Sequence, residues 1–238
     1  MKFRNSEINY QIIKTDDGSD TLFCKDLNQH YHSTFGAVSE SMHIFINAGF
    51  FHFLETARAM KTEEPVQIRI LEVGFGTGLN ALLTLQAAEN HGINVHYTGI
   101  EAFPLEESCW RSLNYPSLAV SSDFKHIFSK IHLADWNKPE IISRNFTLQK
   151  IHNKLEEFFP MEGAFDLIYF DAFSPDAQPE LWTGQIFSNL SRSLSPGGML
   201  VTYSVKGTVV RALRSCGFLT EKLPGPPGKR HILRAVRI

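Results

Sequence analysis

Ten residues, Leu71-Glu72-Val73-Gly74-Phe75-Gly76-Thr77-Gly78-Leu79-Asn80, constrain this chain more than any other stretch. The largely apolar run from Ile68 to Val73 leads into them. Behind them Leu79, Leu82, Leu83 and Gln86 recur at helical spacing, which predicts a strand, a glycine turn and a helix. Glycines at alternating positions let the backbone turn sharply with no Cβ in the way, and they leave the first N–H groups of the helix free to meet a ligand. Their spacing restricts that ligand. A dinucleotide fingerprint reads G-x-G-x-x-G around a pyrophosphate, whereas here the third glycine arrives one residue early.

The G-x-G-x-G run behind an acidic strand end resembles motif I of class I S-adenosylmethionine-dependent methyltransferases. A sheet of that kind must be covered on both faces. The chain has 238 residues, 43% hydrophobic and 20% charged, enough for one such α/β domain with additions but not for a second full domain. Cys24, Cys109 and Cys216 lie far apart, so neither a disulfide framework nor a C-x-x-C metal site is expected, and a reducing compartment is. No run approaches the roughly 20 apolar residues of a membrane span, and the opening Met-Lys-Phe-Arg-Asn-Ser leads into no apolar signal core. The expectation is a soluble, cytoplasmic protein with no membrane partner.

Residues 1–64 read as an N-terminal extension. It holds two short strands, Tyr10 to Lys14 and Thr21 to Lys25, around the turn Asp16-Asp17-Gly18. A loop from Ser33 to Ser41 follows, then a helix carrying Ile46, Phe50, Phe53, Leu54 and Ala57. His30, His32 and His43 come with no set of carboxylates or cysteines, so no metal is expected. Residues 65–238 read as the methyltransferase domain. Its first helix stops near Gly92, and its second strand is Val95 to Ile100. A helix opens at Pro104 with Glu106 and Glu107 in its first turn and is barred by Pro116. Strands are expected at Ile127 to Ala134 and Phe146 to His152 around a turn at Trp136-Asn137-Lys138-Pro139, with a short helix from Leu155 to Phe159. Phe165 to Phe170 is the fourth strand. A helix opened by Pro179-Glu180, with Trp182, Ile186, Leu190 and Leu194 on one apolar face, ends at Pro196-Gly197-Gly198. Trp182 can be core or a stacking platform. A fifth strand to Tyr203, a short helix ended by Gly217 and a hairpin of Phe218 to Leu223 with His231 to Val236 complete the chain.

Chemistry-bearing residues fall at strand ends. Glu101 closes the second strand, where an acid can accept hydrogen bonds from a ribose. After the third strand, where many methyltransferases place an acid against adenine, this chain has Asn153-Lys154, and Asp135-Trp136 offers the same chemistry from the preceding segment. Asp171 follows the buried fourth strand, where a carboxylate costs desolvation unless it is paired or used, so it is the catalytic candidate or else a cap for the following turn. A carboxylate there can bind an amine acceptor, align it and draw off its proton.

The net charge of −2 argues against a general nucleic-acid binder. From Lys206 onward, however, eight basic residues, including Arg211, Arg214, Lys229 and Arg230, face the single acid Glu221, a local balance of +7. That stretch reads either as ordinary solvated surface or as a face for phosphates.

Together Glu72-Val73-Gly74-Phe75-Gly76-Thr77-Gly78-Leu79-Asn80, Glu101-Ala102-Phe103-Pro104, Asp171-Ala172-Phe173-Ser174-Pro175, Pro179-Glu180-Leu181-Trp182, Pro196-Gly197-Gly198 and Gly228-Lys229-Arg230 resemble the methyltransferase domain of MnmC. The resemblance runs from about Ile68 to the C-terminus, and Tyr31-His32-Ser33 with Gly36-Ala37 resembles stand-alone relatives. It implies a Rossmann-like, doubly wound seven-stranded α/β fold of the class I S-adenosylmethionine-dependent type with an N-terminal extension. It further implies methylation of the aminomethyl group on a tRNA wobble uridine, in the anticodon region, to complete 5-methylaminomethyl-2-thiouridine. The cofactor S-adenosyl-L-methionine would be held by Glu72, Gly74, Gly76, Gly78, Asn80, Glu101, Asn153 and Asp171, with Asp171 catalytic and Phe173, Lys229 and Arg230 toward the substrate. Full-length bacterial members carry a fused flavin-dependent oxidase for which 238 residues leave no room, so a separate enzyme is expected to supply the aminomethyl group. An aminopropyltransferase of the spermidine-synthase type, which would want more acids around its acceptor, and a non-catalytic RNA- or cofactor-binding module are the competing readings.

Overall fold

The structure is a computed structural model describing residues 10–59, 67–118 and 124–238. Three short antiparallel strands come first, β1 (Tyr10–Lys14), β2 (Asp20–Cys24) and β3 (Gln29–His30). A helical run follows: α1 (Ala37–Ser41), a π-helical segment (Met42–Phe51) and α2 (His52–Ala59). Next come β4 (Gln67–Val73), α3 (Leu79–His91), β5 (Asn94–Glu101), α4 (Glu107–Arg111), α5 (Phe124–Leu133), β6 (Pro139–Ser143) and β7 (Phe146–His152). The chain closes with β8 (Phe165–Phe170), α6 (Gly184–Ser193), β9 (Leu194–Thr202), α7 (Gly207–Ser215), β10 (Phe218–Pro224) and β11 (His231–Arg237).

Strands β4 to β11 form one sheet in the order β10-β11-β9-β8-β4-β5-β7-β6. From β9 through β7 all neighbours are parallel, while β11 runs antiparallel to both β9 and β10. Strands buried on both faces read as continuous apolar runs whose successive side chains alternate between the two sides. Ile68 and Ile70 of β4 and Leu167 and Tyr169 of β8 join a cluster with α3, α5 and the π-helical segment. Their neighbours Leu71, Val73, Ile168 and Phe170 join a second cluster under α6 and α7. The N-terminal extension contributes Leu22, Ile44, Phe45 and Phe50 to the first cluster. Gly49 explains how closely its helix approaches: a Cβ there would stand 3.0 Å from Val201 Cγ2 and 3.2 Å from the Tyr169 ring. The expected boundary between residues 64 and 65 lies outside the described residues, as does the opening hexapeptide. Among the described residues no helix is long and apolar enough to cross a membrane.

The sheet contains the seven expected strands and one more. Pro139–Ser143, of which the sequence reading covers only Pro139, as the end of a turn, pairs antiparallel with β7 and makes an eighth, edge strand with Ile141 exposed. Ile127 to Leu133 is helix, not strand, and Ala134 follows it: Phe124, Phe128 and Ile131, spaced four and three apart, bury one face of α5. Part of the predicted loop at 33–41 is α1. The helix expected from Pro104 begins at Glu107. The one expected from Pro179 is a 3₁₀ turn (Pro179–Trp182) followed by α6, because the Thr183 hydroxyl starts a new helix by accepting from Ile186 N at 3.4 Å, and Leu194 already belongs to β9.

Candidate functional site

Strand order reverses between β4 and β8, and a ligand crevice opens above such a reversal, beyond the carboxyl ends of the strands. A cavity of about 580 Å³ lies there, within the usual range for small-molecule sites. Glu72, Gly74, Gly76, Asn80, Glu101, Asn153, Asp171, Phe173 and Lys229 all line it. Gly78 and Arg230 are not among its lining residues. Gly78 instead caps α3 with φ +70, with His132 Nε2 2.9 Å from where its Cβ would be, and Arg230 is exposed.

The glycine loop takes its shape from contacts that admit no side chain. At Gly74, with φ +85, a Cβ would meet Asp171 O at 2.8 Å, so the loop and the end of β8 touch backbone to backbone. Gly74 N donates to Ile100 O at 3.0 Å and Asp171 N to Val73 O at 3.0 Å, which fixes both turns to the strand ends. Gly76, with φ +47, presses on the Tyr31 ring, 3.0 Å from an added Cβ.

Asn80, in the first turn of α3, donates from Nδ2 to Glu72 Oε1 and to Asp171 Oδ2, both at 2.9 Å. Burial raises both carboxyls well above the usual range, and the Glu40 charge adds to the effect at Asp171, while Asn80 and Lys229 act against it there. Asn80 Oδ1 is buried with no hydrogen-bond partner among the described residues, and Glu72 Oε2 has none but the neighbouring Tyr97 hydroxyl. Orphaned acceptors of this kind call for a cationic donor. The α-ammonium of S-adenosyl-L-methionine has that chemistry, so the residues present fit the cofactor. Glu101 sits on the far side of the loop, where Oε2 accepts from Gly76 N at 3.0 Å and Oε1 from Phe103 N at 2.9 Å. Burial raises its carboxyl too, offset by these backbone donors, and each oxygen retains a lone pair for a hydroxyl. Asn153 closes that end, its Oδ1 accepting from Lys154 N at 2.8 Å. Asp135, the other candidate for the adenine, is exposed, pairs with Lys138 at 3.2 Å and does not line the cavity.

The opposite wall comes from the N-terminal extension, whose part in the site local sequence pattern did not disclose. Tyr10, Tyr31, His32, Ser33 and Glu40 line the cavity. Tyr31 meets Phe173 edge-on at 4.9 Å between ring centres and shares a 3.2 Å hydrogen bond with Tyr10. Glu40, buried, forms an ion pair with Lys229, whose Nζ lies 5.4 Å from the Tyr203 ring centre. Among the histidines, His32 meets Thr77 and His43 meets Pro224 O at 2.8 Å. Trp182 is a core residue that donates to Phe173 O at 2.8 Å. Half of the eight C-terminal cations are in ion pairs: besides Lys229, Lys206 with Asp176, Arg234 with Glu221 and Arg237 with Glu162. Arg211, Arg214, Lys222 and Arg230 are exposed and without an ion pair among the described residues.

A doubly wound sheet with a glycine loop, a ribose-type acid and sheltered carboxylates around one cavity defines the class: the chain is an S-adenosyl-L-methionine-dependent methyltransferase, and a family model of that description matches residues 128–238. It belongs with the methyltransferase domains of MnmC. The tRNA 5-methylaminomethyl-2-thiouridine biosynthesis bifunctional protein MnmC of Magnetococcus marinus is 31% identical over 214 residues, covering 87% of this chain and 31% of that protein. Its namesake in Pseudomonas fluorescens is 35% identical over 171 residues, 68% of this chain and 26% of that protein. The chain thus spans about a third or less of these two curated relatives. The crystal structure of MNMC2 from Aquifex aeolicus matches with a TM-score of 0.76 at 28% identity, covering 98% of this chain and 72% of that one. Spermidine synthase from Thermotoga maritima, at a TM-score of 0.55 and 12% identity over 100% of this chain and 81% of its own, shares the fold alone.

Proposed function

We propose that this chain methylates a primary amine, the aminomethyl group of a tRNA wobble uridine, as the last step to 5-methylaminomethyl-2-thiouridine. The observation that carries the reading is Asp171: a sheltered carboxylate, held by Asn80, in the same cavity as Glu101 and the glycine loop. When bound, S-adenosyl-L-methionine supplies a methyl group activated on a positively charged sulfur. Glu72 and Asn80 would hold its ammonium, Gly74 and Gly76 would let it approach the backbone, Glu101 would take its ribose and Asn153 its adenine. Asn80 occupies Asp171 Oδ2, which leaves Oδ1 to align the acceptor nitrogen and take its proton. Phe173 and Lys229 would face the acceptor base, with Arg230 outside the cavity against phosphate. The likeness to MnmC proteins supports tRNA as substrate; on this reading the contact would be the anticodon region and the location the cytoplasm. A separate enzyme would supply the aminomethyl group. Residues 1–64 would form an extension, whose described part, 10–59, borders the site of a domain at 65–238.

The test is incubation of the purified chain with S-adenosyl-L-methionine and tRNA carrying aminomethyl-uridine, read by nucleoside mass spectrometry. Appearance of the methylaminomethyl nucleoside supports the reading. An unchanged tRNA, together with aminopropylation of a free polyamine in a parallel incubation supplied with decarboxylated S-adenosylmethionine, would replace it with the spermidine-synthase alternative.

A further inference from the structure

The Glu40–Lys229 pair joins residues 189 positions apart, one from the extension and one from the loop between β10 and β11, and both line the cavity. Glu40 is only 6% exposed, and its other oxygen accepts from Ser33 N at 3.0 Å. A buried ion pair is weak evidence for stability, because desolvating two charges cancels much of their attraction. Its position suggests another role. The pair lies at the end of the cavity that holds Asp171 and Tyr203, whose hydroxyl donates to Ala172 O at 2.8 Å beside Asp171.

We propose that Glu40 is a positioning residue for the acceptor end: its carboxylate fixes Lys229 against the Tyr203 ring and sets the negative charge that faces Asp171. This rests on the amine-methylation reading above. Five ionisable groups bear on Asp171. Glu40 and Lys229 face it from the extension and the β10–β11 loop, Glu72 lies across Asn80, and Tyr97 and Tyr203 come from β5 and just beyond β9. Glu40 raises the proton affinity of Asp171 and Lys229 lowers it. With Glu40 neutralised, Lys229 would lose its anchor and act on Asp171 unopposed. Asp171 would then be a weaker base beside a cation free to repel the incoming ammonium. The extension, on this account, completes the chemistry as well as the wall.

The test compares Glu40→Gln and Glu40→Asp with the parent in single-turnover methylation of aminomethyl-uridine tRNA over a range of pH. For Glu40→Gln we expect kcat/KM to fall about tenfold or more, the scale of a lost charge-assisted contact. The acid limb of the pH profile should move to lower pH, while S-adenosyl-L-methionine affinity stays within about twofold, too small a change to signal a lost contact. Glu40→Asp keeps the charge but not the reach, so it should keep the parent's acid limb and raise KM; it serves also if the Gln variant does not fold. A parent inactive on this tRNA removes the functional reading and this inference with it. An active parent whose variants match it in kcat/KM and pH profile, with or without a lower melting temperature, removes the inference alone.

Discussion

His32 Nε2 lies 2.9 Å from Thr77 Oγ1, so a histidine of the N-terminal extension holds the glycine loop from above. From the other side His132 Nε2 donates to Thr77 O at 3.1 Å, its ring stacked on Trp110 at 4.5 Å. Both imidazoles are kept neutral by burial, His32 pushed down to about 4 and His132 to about 3. The loop that would carry the cofactor is therefore tied to two groups that resist protonation.

The tie has a pH signature. In the unfolded chain these histidines take up protons near pH 6.5, while in the folded chain they do so only near pH 4 and pH 3. Between those values the unfolded state binds more protons, so stability must fall as pH drops from about 6.5 toward 4. The buried carboxyls Glu72, Glu101 and Asp171 shift the opposite way and mask part of the effect, so the comparison is parent against His32→Gln. We expect the parent to lose up to about 3 kcal/mol more than the variant over that window, measured by denaturant unfolding. Parallel curves for the two proteins would show that His32 does not titrate as described.

Gly76 tests the cofactor end. Valine there would need φ near +47, a value foreign to a β-branched residue, and its Cβ would press on Tyr31 at 3.0 Å. Because Tyr31 borders the cavity, it can yield into that space at the cost of the site more than of the core. We expect Gly76→Val to keep its circular dichroism spectrum while S-adenosyl-L-methionine affinity falls at least tenfold, about 1.4 kcal/mol. Calorimetry returning the parent's affinity from a folded variant would remove Gly76 from the site.

Lys150 is a buried cation with no ion pair among the described residues. It is 1% exposed, donates to His132 O and lies 4.6 Å from the Trp136 ring centre. Burial pushes it down to about 8. Between about pH 8 and pH 10.4 the unfolded chain holds the proton more tightly, so the parent should gain stability as pH rises through that window. Lys150→Met should be the more stable protein at pH 7 and lose this pH dependence, with Tm higher by several degrees, about 2–4 °C for each kcal/mol in a chain of this size. A lower Tm at pH 7 would mean that the contacts to His132 and Trp136 outweigh the buried charge.

What was legible in the sequence was local. The glycine loop, Glu101 and Asp171 each sit where an apolar run ends, and a run and its end are visible within a ten-residue window. Helix α5 is hidden in the sequence because Ile127 to Ala134 alone lacks Phe124, whose spacing to Phe128 and Ile131 marks the helical face. The edge strand β6 went unread because Ile141 is exposed and Pro139 opens it, so no buried alternation announces it. The roof over the site could not be read at all: nothing near Glu40 indicates Lys229, and nothing near Tyr31 indicates Gly76. Those contacts arise only when the π-helical segment packs on β8 and β9 and carries the extension over the cavity.

Asp171 carries the chemical claim, and its neighbours sharpen the test. Its Oδ2 takes one hydrogen bond from Asn80, and its carboxyl is held well above the usual range by burial and by Glu40. Once ionised, a carboxylate of raised proton affinity is the stronger base, suited to drawing a proton from an ammonium. Asp171→Ala should leave S-adenosyl-L-methionine affinity within a few-fold and lower single-turnover methylation of aminomethyl-uridine tRNA on the order of 10²-fold or more, the scale of a positioned acid–base group. Asp171→Asn keeps an acceptor for Asn80 and the shape of the turn, so it isolates the charge. It should be slow at neutral pH and recover partly at higher pH, where more of the substrate amine is already free. Because Asp171 N also bonds Val73 O through the main chain, neither substitution removes that link between β8 and the glycine loop. A folded Asp171→Ala variant turning over at the parent's rate would make this residue a turn cap and move the search for the base elsewhere in the cavity.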